Sequence, residues 1–161
     1  MAEMREKLMH FINISNTSST TSYVLIGDGV TSLTEEFNPE SETKQYIHEA
    51  NGTTNIKSYT PSIQIEKEYI KDEALQNWVN EKVKDLPIGS DAITSYVRIN
   101  VFDTTSQSNV YNAVWRKCSY QIDSVGGDAG SELMTGLTLG GIGDGVKGTF
   151  NVSTKVFTTA S

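Results

Sequence analysis

Cysteine, histidine and tryptophan are scarce in this sequence of 161 residues, which has one cysteine, two histidines and two tryptophans. The single Cys118 excludes an internal disulfide framework and a cysteine-based zinc site. His10 and His48 stand in no metal-ligand spacing, and no catalytic triad is recognisable. The sequence therefore predicts no catalytic residue, no metal ligand and no cofactor-binding residue.

Positive charge is also scarce, since 13 lysines and arginines stand against 20 aspartates and glutamates and leave a formal net charge of −7. Binding nucleic acid through its phosphates needs clustered lysine and arginine, so this class of function is disfavoured. An acidic or neutral surface is nevertheless what a protein needs if DNA is to slide past it without sticking.

Long apolar runs are missing as well, and none approaches the roughly 18 residues of a membrane span. Residues 1–12 lack the apolar core of about 7–15 residues that a secretion signal has. We therefore expect a soluble protein made in the cytosol, with no membrane partner. The length is most simply one domain, residues 1–161. An apolar content of 37 % is typical of a chain with long loops or with surface that is covered on assembly.

The clearest strand pattern runs from Ile63 to Glu68 and alternates with a period of two. Ile63 and Ile65 fall on one face, whereas Gln64, Glu66 and Glu68 fall on the other. This strand is predicted to separate a packed face from a wet, acidic one. Glu66 and Glu68 are about 7 Å apart by strand geometry, like a glycosidase carboxylate pair, but every i, i+2 pair shares that spacing.

A short amphipathic helix is predicted at about residues 72–85. Asp72 is a good N-cap residue, and Pro87 with Gly89 ends the element. Gln76 is assigned to the polar side together with the charged residues. The apolar residues fall on one stripe at helical spacing, which we expect to pack against a sheet. The stripe comprises Leu75, Trp78, Val79, Val83 and Leu86.

The remaining segments indicate mainly short strands. Residues 94–102 alternate in polarity, and residues 110–125 form either one long strand or two joined by a bulge. Residues 28–43 have few large apolar side chains and are predicted as a long loop, and residues 1–22 as an N-terminal arm. The pattern as a whole predicts a mainly-β fold of two packed antiparallel sheets, a β-sandwich or half-open barrel, with one flanking helix and long extended loops.

Two glycine-containing segments are predicted as turns. Asn51-Gly52 indicates a hairpin between strands at 45–49 and 53–59. The segment 140–148, with the sequence GGIGDGVKG, lacks the Gly-Lys-Ser/Thr end of a phosphate loop. We therefore expect it to be a flexible connection between the last two strands.

Several short segments resemble the tail tube proteins of long-tailed bacteriophages, which are related to the tubes of contractile injection systems. They are Lys44-Gln45-Tyr46-Ile47, the strand entry Thr60-Pro61-Ser62, the junction Tyr69-Ile70-Lys71-Asp72, and the closing runs 145–150 and 155–158. These segments are structural signatures and carry no catalytic group.

The resemblance implies a structural subunit that forms six-membered rings, which stack into a hollow tube. The tube holds a tape measure protein and later conducts the genome, so DNA passes through without tight binding. Tail terminator and baseplate proteins are the other implied partners, and the protein is expected in the virion tail after assembly in the host cytoplasm. Gln64, Glu66 and Glu68 are the candidate bore-facing residues, and 30–42 and 104–109 are candidate inter-subunit loops.

Other functions stay open from the sequence alone. The inner tube of a contractile bacteriocin or secretion machine is distinguished by whether a sheath protein binds its outer surface. A monomeric ligand-binding β-sandwich, such as a carbohydrate module, should present a flat aromatic platform. An enzyme is disfavoured, because the sequence has no triad, metal set or phosphate loop.

Overall fold

In the computed structural model, residues 2–15 and 20–160 are described, and these fold into ten strands and one helix. The predicted mainly-β fold with one flanking helix is confirmed. Short 3-10 turns cover Arg5–Lys7 and Gly89–Ala92. The elements are β1 (Leu8–Asn13), β2 (Tyr23–Leu25), β3 (Val30–Glu36), β4 (Glu40–Lys44), β5 (Thr53–Ser58), β6 (Ser62–Glu68), α1 (Ala74–Asp85), β7 (Ile93–Thr104), β8 (Val110–Gly126), β9 (Met134–Asn151) and β10 (Val156–Thr159).

Eight strands form one antiparallel sheet in the order β2-β1-β7-β8-β9-β6-β3, with β10 added to β9, while β4 and β5 form a separate two-stranded sheet. β9 pairs with β8 along its length, from Val110↔Asn151 to Gly126↔Met134. On its other side, β9 pairs with β6 through its first half and with β10 through its last residues. The large sheet curls into a half-barrel, because six of its strands contribute to one shared core.

Two hydrophobic cores lie on opposite faces of β1 and β7. Ile12 and Tyr96 belong to the core beneath α1, whereas their chain neighbours Phe11 and Val97 belong to a second core around Phe150. Successive side chains of a strand point to opposite faces. Both strands are therefore covered on both sides, which explains the consecutive buried residues at their centres.

The helix packs on the first core through the predicted stripe. Leu75, Trp78 and Val79 are buried, and Val83 is partly buried against them. The Trp78 ring meets the Tyr120 ring edge-on, with centroids 4.8 Å apart.

The predicted details of the helix ends and of its polar side were wrong in three places. The helix begins at Ala74, with Glu73 at the N-cap and no side-chain cap, because Asp72 takes a left-handed conformation at φ 68°. Leu86 is left-handed too and is 62 % exposed, so it lies outside the stripe. Gln76 is fully buried, because Lys67 on the sheet donates a hydrogen bond to its side-chain oxygen.

The predicted loop at residues 28–43 is wrong, since it contains all of β3 and most of β4. Few apolar residues are needed in β3, because Leu33 and the partly buried Val30 supply its apolar contacts and Glu35 occupies the next inward position among charged partners. The hairpin prediction is right for β5 but wrong for 45–49, which belong to the connection after β4. All residues of both strands are exposed, so no burial pattern marks their bounds.

The predicted flexible connection at 140–148 is also wrong, because β9 runs through it without a break. A Cβ on Gly141 would lie 2.9 Å from Arg116 Cδ and 3.1 Å from the Pro61 carbonyl oxygen. A Cβ on Gly145 would lie 2.9 Å from both Arg116 Nη2 and a Val114 methyl. These glycines allow close approach between strands and are not signs of flexibility. Of the two alternatives for residues 110–125, the single long strand is confirmed, because β8 is continuous from Val110 to Gly126. The register shift between Trp115 and Lys117 places the extra residues on β9, where residues 143–145 lie opposite Arg116 alone.

The N-terminal segment 1–22 is only partly an arm. Leu8–Asn13 form β1, which pairs with β2 on one side and β7 on the other. Residue 1 and residues 16–19 of that prediction lie outside the described part of the chain.

Candidate functional site

The predicted alternation of β6 is confirmed and gives one polar side to the half-barrel. Ile63 and Ile65 are buried, whereas Gln64 and Glu66 are exposed and Glu68 is partly exposed. Strands β3, β8 and β9 continue this side with small polar or acidic side chains. We call it the polar face, and it comprises Ser32, Thr34, Glu36, Ser62, Gln64, Glu66, Gln121, Asp123 and Thr138.

Side chains on the polar face are linked in rows across the strands. Gln64 is paired in register with Thr34 on β3 and with Thr138 on β9, and Thr138 is paired with Gln121 on β8. The Asp123 carboxylate accepts hydrogen bonds from Gln121 Nε2, at 2.8 Å, and from the Thr138 hydroxyl. The result is a shallow wall without large apolar groups.

The charge of the polar face is negative. Glu36, Glu66 and Asp123 carry carboxylates, and none of the nine residues is a lysine or arginine. Lys117 is exposed on β8, two residues before Ser119, which is the last β8 residue that pairs with β7. It takes part in no ion pair among the described residues. Such a surface repels phosphate groups.

The polar face ends at two strand edges that lack a backbone partner within the described chain. Among residues 2–15 and 20–160, β3 pairs with β6 and with no other strand. In the same residues, β8 pairs with β7 as far as Ser119, and its residues 120–126 pair only with β9. Each edge is seven residues long. An unpaired strand edge offers a row of hydrogen-bonding groups to another chain.

On its inner side, β3 is held by a buried charge that sequence reasoning missed. The Glu35 carboxylate accepts hydrogen bonds from Tyr96 Oη at 2.5 Å and from Arg98 Nη1 at 2.8 Å, and His10 Nε2 lies 3.4 Å away. We call these four residues the Glu35 cluster. Arg5 Nη2 also donates to the Leu33 carbonyl oxygen at 2.9 Å. Side chains therefore tie edge strand β3 to β1 and β7 across the mouth of the half-barrel.

The Glu35 cluster keeps its carboxylate ionised. Burial alone would raise the pKa of Glu35, but hydrogen bonds from His10 and Tyr96, together with the charge of Arg98, lower it from 4.5 to about 2. Burial and the Glu35 carboxylate raise the pKa of Tyr96, so its hydroxyl stays a donor. A structural anion with dedicated donors holds the strand that carries it in position.

A second buried charge anchors the helix to the sheet. Lys67 is 2 % exposed, and its Nζ lies 3.1 Å from both Glu73 Oε1 and Gln76 Oε1. Gln76 Nε2 in turn donates to Asn80 and Thr135. The alternation of β6 indicates that Lys67 points inward, because Lys67 falls on the same face of the strand as Ile63 and Ile65.

The groups that were candidates for chemistry lie apart. Cys118 is buried, and burial raises its pKa to about 12, which keeps the thiol protonated. His48 is exposed on the β4–β5 connection and stacks on Tyr46. Within residues 2–15 and 20–160, no three histidine, cysteine or acidic side chains gather as they would around a metal ion. No helix in the same residues has the length and apolarity to cross a membrane.

Solved structures of particle tails share this architecture. The tail of an empty gene transfer agent (GTA) particle, refined with C6 symmetry, superposes with a TM-score of 0.61 at 14 % identity, over 89 % of this chain and 97 % of that one. This chain has the same fold, which we call the tail-tube fold. The SPP1 tail tube gives a TM-score of 0.61 at 13 % identity, over 91 % of this chain and 78 % of that one.

The tail-tube fold also extends to a baseplate structure. A chain of the anti-feeding prophage (AFP) baseplate superposes with a TM-score of 0.51 at 10 % identity, over 94 % of this chain and 97 % of that one. No protein-family model matches the sequence, and the comparison with curated proteins gives no match.

Proposed function

We propose that this protein is the structural subunit of a phage-type tail tube. Six copies form a ring, and rings stack into a hollow tube that holds a tape measure protein and then conducts the genome. The observation that carries this proposal is the tail-tube fold together with a polar face that ends at two unpaired strand edges.

The directions of the strands permit ring closure. In the order β3-β6-β9-β8, neighbours alternate in direction, so β3 and β8 run oppositely. Rotation about a ring axis preserves the direction of every strand along that axis. The β8 edge of one copy therefore meets the β3 edge of the next copy in antiparallel orientation, which is the geometry that a regular ladder requires. Closure in this way leaves neither of these two edges free.

The two sides of this sheet have different chemistry, which favours one of them for the bore. The helix and its apolar core cover one side, so that side points outward. The polar face then lines the bore and brings Gln64 and Glu66 to the wall, with Glu68 at its margin. A wall of hydroxyl, amide and carboxylate groups repels phosphates and lets DNA slide. This role uses no cofactor and no reaction.

The proposed setting is a virion tail, with the tape measure, tail terminator and baseplate proteins as partners. The inner tube of a contractile machine is the second candidate, and the AFP baseplate chain shows that the same fold occurs in a baseplate as well. Binding of a sheath protein to the outer surface would separate the two candidates.

Electron microscopy of concentrated purified protein tests the proposal. We expect rings or hollow rods with six-fold symmetry, and light scattering should show mass growth with concentration. A protein that stays strictly monomeric at millimolar concentration, with no filaments at any salt concentration, would contradict the proposal. That result would favour a monomeric binding domain.

A further inference from the structure

We propose that neighbouring copies are joined at one end of the strand seam by a specific two-part contact. On the helix side, Leu86 and Ile88 of one copy pack against Phe37 of the next copy. On the polar side, Lys117 of the first copy pairs with Glu36 of the second. This inference rests on the proposed ring and names the residues that seal it.

The antiparallel seam decides which ends meet. The β8 edge runs from residue 120 to residue 126, and the β3 edge runs from residue 30 to residue 36. Antiparallel pairing puts the Glu36 end of β3 beside the start of the β8 edge. That start is where Leu86, Pro87 and Ile88 lie, because they form a groove with Tyr120, Gln121 and Ile122.

Apolar side chains are exposed on both partners at this end. Leu86 is 62 % exposed and Ile88 is 82 % exposed. The backbone of Leu86 is also held in a left-handed conformation, at φ 47° and ψ 62°, which residues other than glycine rarely adopt. Phe37 is 40 % exposed on the other partner. It follows the inward positions Leu33 and Glu35 by the period of two, so it lies on the helix side.

The charges are complementary on the polar side. Lys117 precedes Ser119 and Gln121 on the exposed parity of β8, and Glu36 is the last polar-face residue of β3. Neither residue takes part in a salt bridge or side-chain hydrogen bond among the described residues. The ladder between β8 and β7 ends at Ser119, so a long side chain of the next copy can reach Lys117. A cation and a carboxylate without partners are thus brought to one end of the same seam.

A disulfide experiment tests the apolar half. The double variant Phe37→Cys/Ile88→Cys, oxidised after assembly, should give a covalent ladder that ends at the closed ring on a non-reducing gel. The matched control is Phe37→Cys/Asn77→Cys, because Asn77 is exposed on the helix nine residues before Leu86, about 13 Å away along the helix axis. The control should stay monomeric on the gel. Cys118 is buried and protonated, so it should not add cross-links.

A charge reversal tests the ionic half. Lys117→Glu or Glu36→Lys alone should raise the critical concentration for assembly about tenfold, and the double variant should restore it. If the wild type forms tubes but Phe37→Cys/Ile88→Cys does not cross-link, this inference is wrong. It is equally wrong if the double charge reversal does not restore assembly. Either outcome leaves the proposed function intact. If the cysteine variant does not fold, the charge reversal decides alone. Absence of wild-type rings would instead remove the proposed function itself.

Discussion

Replacing Glu35 by glutamine removes one negative charge from the inner side of β3 while keeping the shape of the side chain. The carboxylate is 5 % exposed and faces Arg98, Tyr96 and His10. The glutamine amide oxygen can still accept hydrogen bonds, but its Nε2 is a donor where the second carboxylate oxygen accepted. The substitution also leaves the Arg98 cation without its counter-charge. We therefore expect β3 to lose part of its attachment to β1 and β7, while its ladder with β6 remains.

The expected loss of stability follows from the pKa of Glu35. A fall from 4.5 to about 2 corresponds to roughly 3 kcal/mol, at about 1.4 kcal/mol for each pH unit. Arg98 is 26 % exposed, so water screens part of this attraction, and we expect the variant to lose about 2 kcal/mol at pH 7.

The pH dependence has a definite sign. A carboxyl group whose pKa is lowered on folding stabilises the protein fully above its unfolded pKa, and this contribution disappears as pH falls through the folded value. The Glu35 contribution should therefore be complete above about pH 4.5 and be lost between about pH 4.5 and pH 2. The wild type and the Glu35→Gln variant should converge in stability over that window.

Urea unfolding, followed by circular dichroism below the assembly concentration, measures this difference at pH 7, 4.5 and 3. Glu36→Gln is the matched control, because Glu36 is the exposed neighbour on the opposite face. It should change the free energy of unfolding by less than about 0.5 kcal/mol. Equal stability of the wild type and Glu35→Gln at pH 7, or a difference that does not shrink with acid, would refute the reasoning.

Three further predictions concern the helix, the polar face and the last strand. Trp78→Ala should cost about 3–5 kcal/mol in urea unfolding, because the side chain is 5 % exposed against Tyr120; a loss below about 1 kcal/mol would show that the helix does not cover the core. Glu66→Lys/Glu68→Lys should fold and assemble but impair genome passage, and unchanged infectivity would remove both residues from the bore. Gly148→Ala should detach β10 and expose the C-terminus to protease, because a Cβ there collides with the Thr158 carbonyl oxygen, whereas Gly126→Ala has open space and should resist as the wild type does.

The sequence could predict those features that arise from local periodicity. The alternation of Ile63 to Glu68 identified the polar side of β6, and the spacing of Leu75, Trp78 and Val79 identified the packed side of the helix. Each pattern depends on the near neighbours of a residue in the chain. Local spacing is sufficient in such cases.

The features that escaped prediction depend on distant residues. Glu35 is 61 residues from Tyr96 and 63 from Arg98 in the sequence, so nothing nearby indicates that it points inward. Gly141 resembled a loop residue, because the contact that requires glycine at this position is with Arg116 on the neighbouring strand. Tertiary contact thus overrode local preference at both positions.

The length of β8 and β9 has a consequence for how the protein unfolds. Their shared ladder runs from Val110↔Asn151 to Gly126↔Met134 and passes beside both cores. Unfolding of either core would break hydrogen bonds between β8 and β9, and the other core needs these two strands intact. Calorimetry should therefore record a single all-or-none transition, with equal calorimetric and van't Hoff enthalpies.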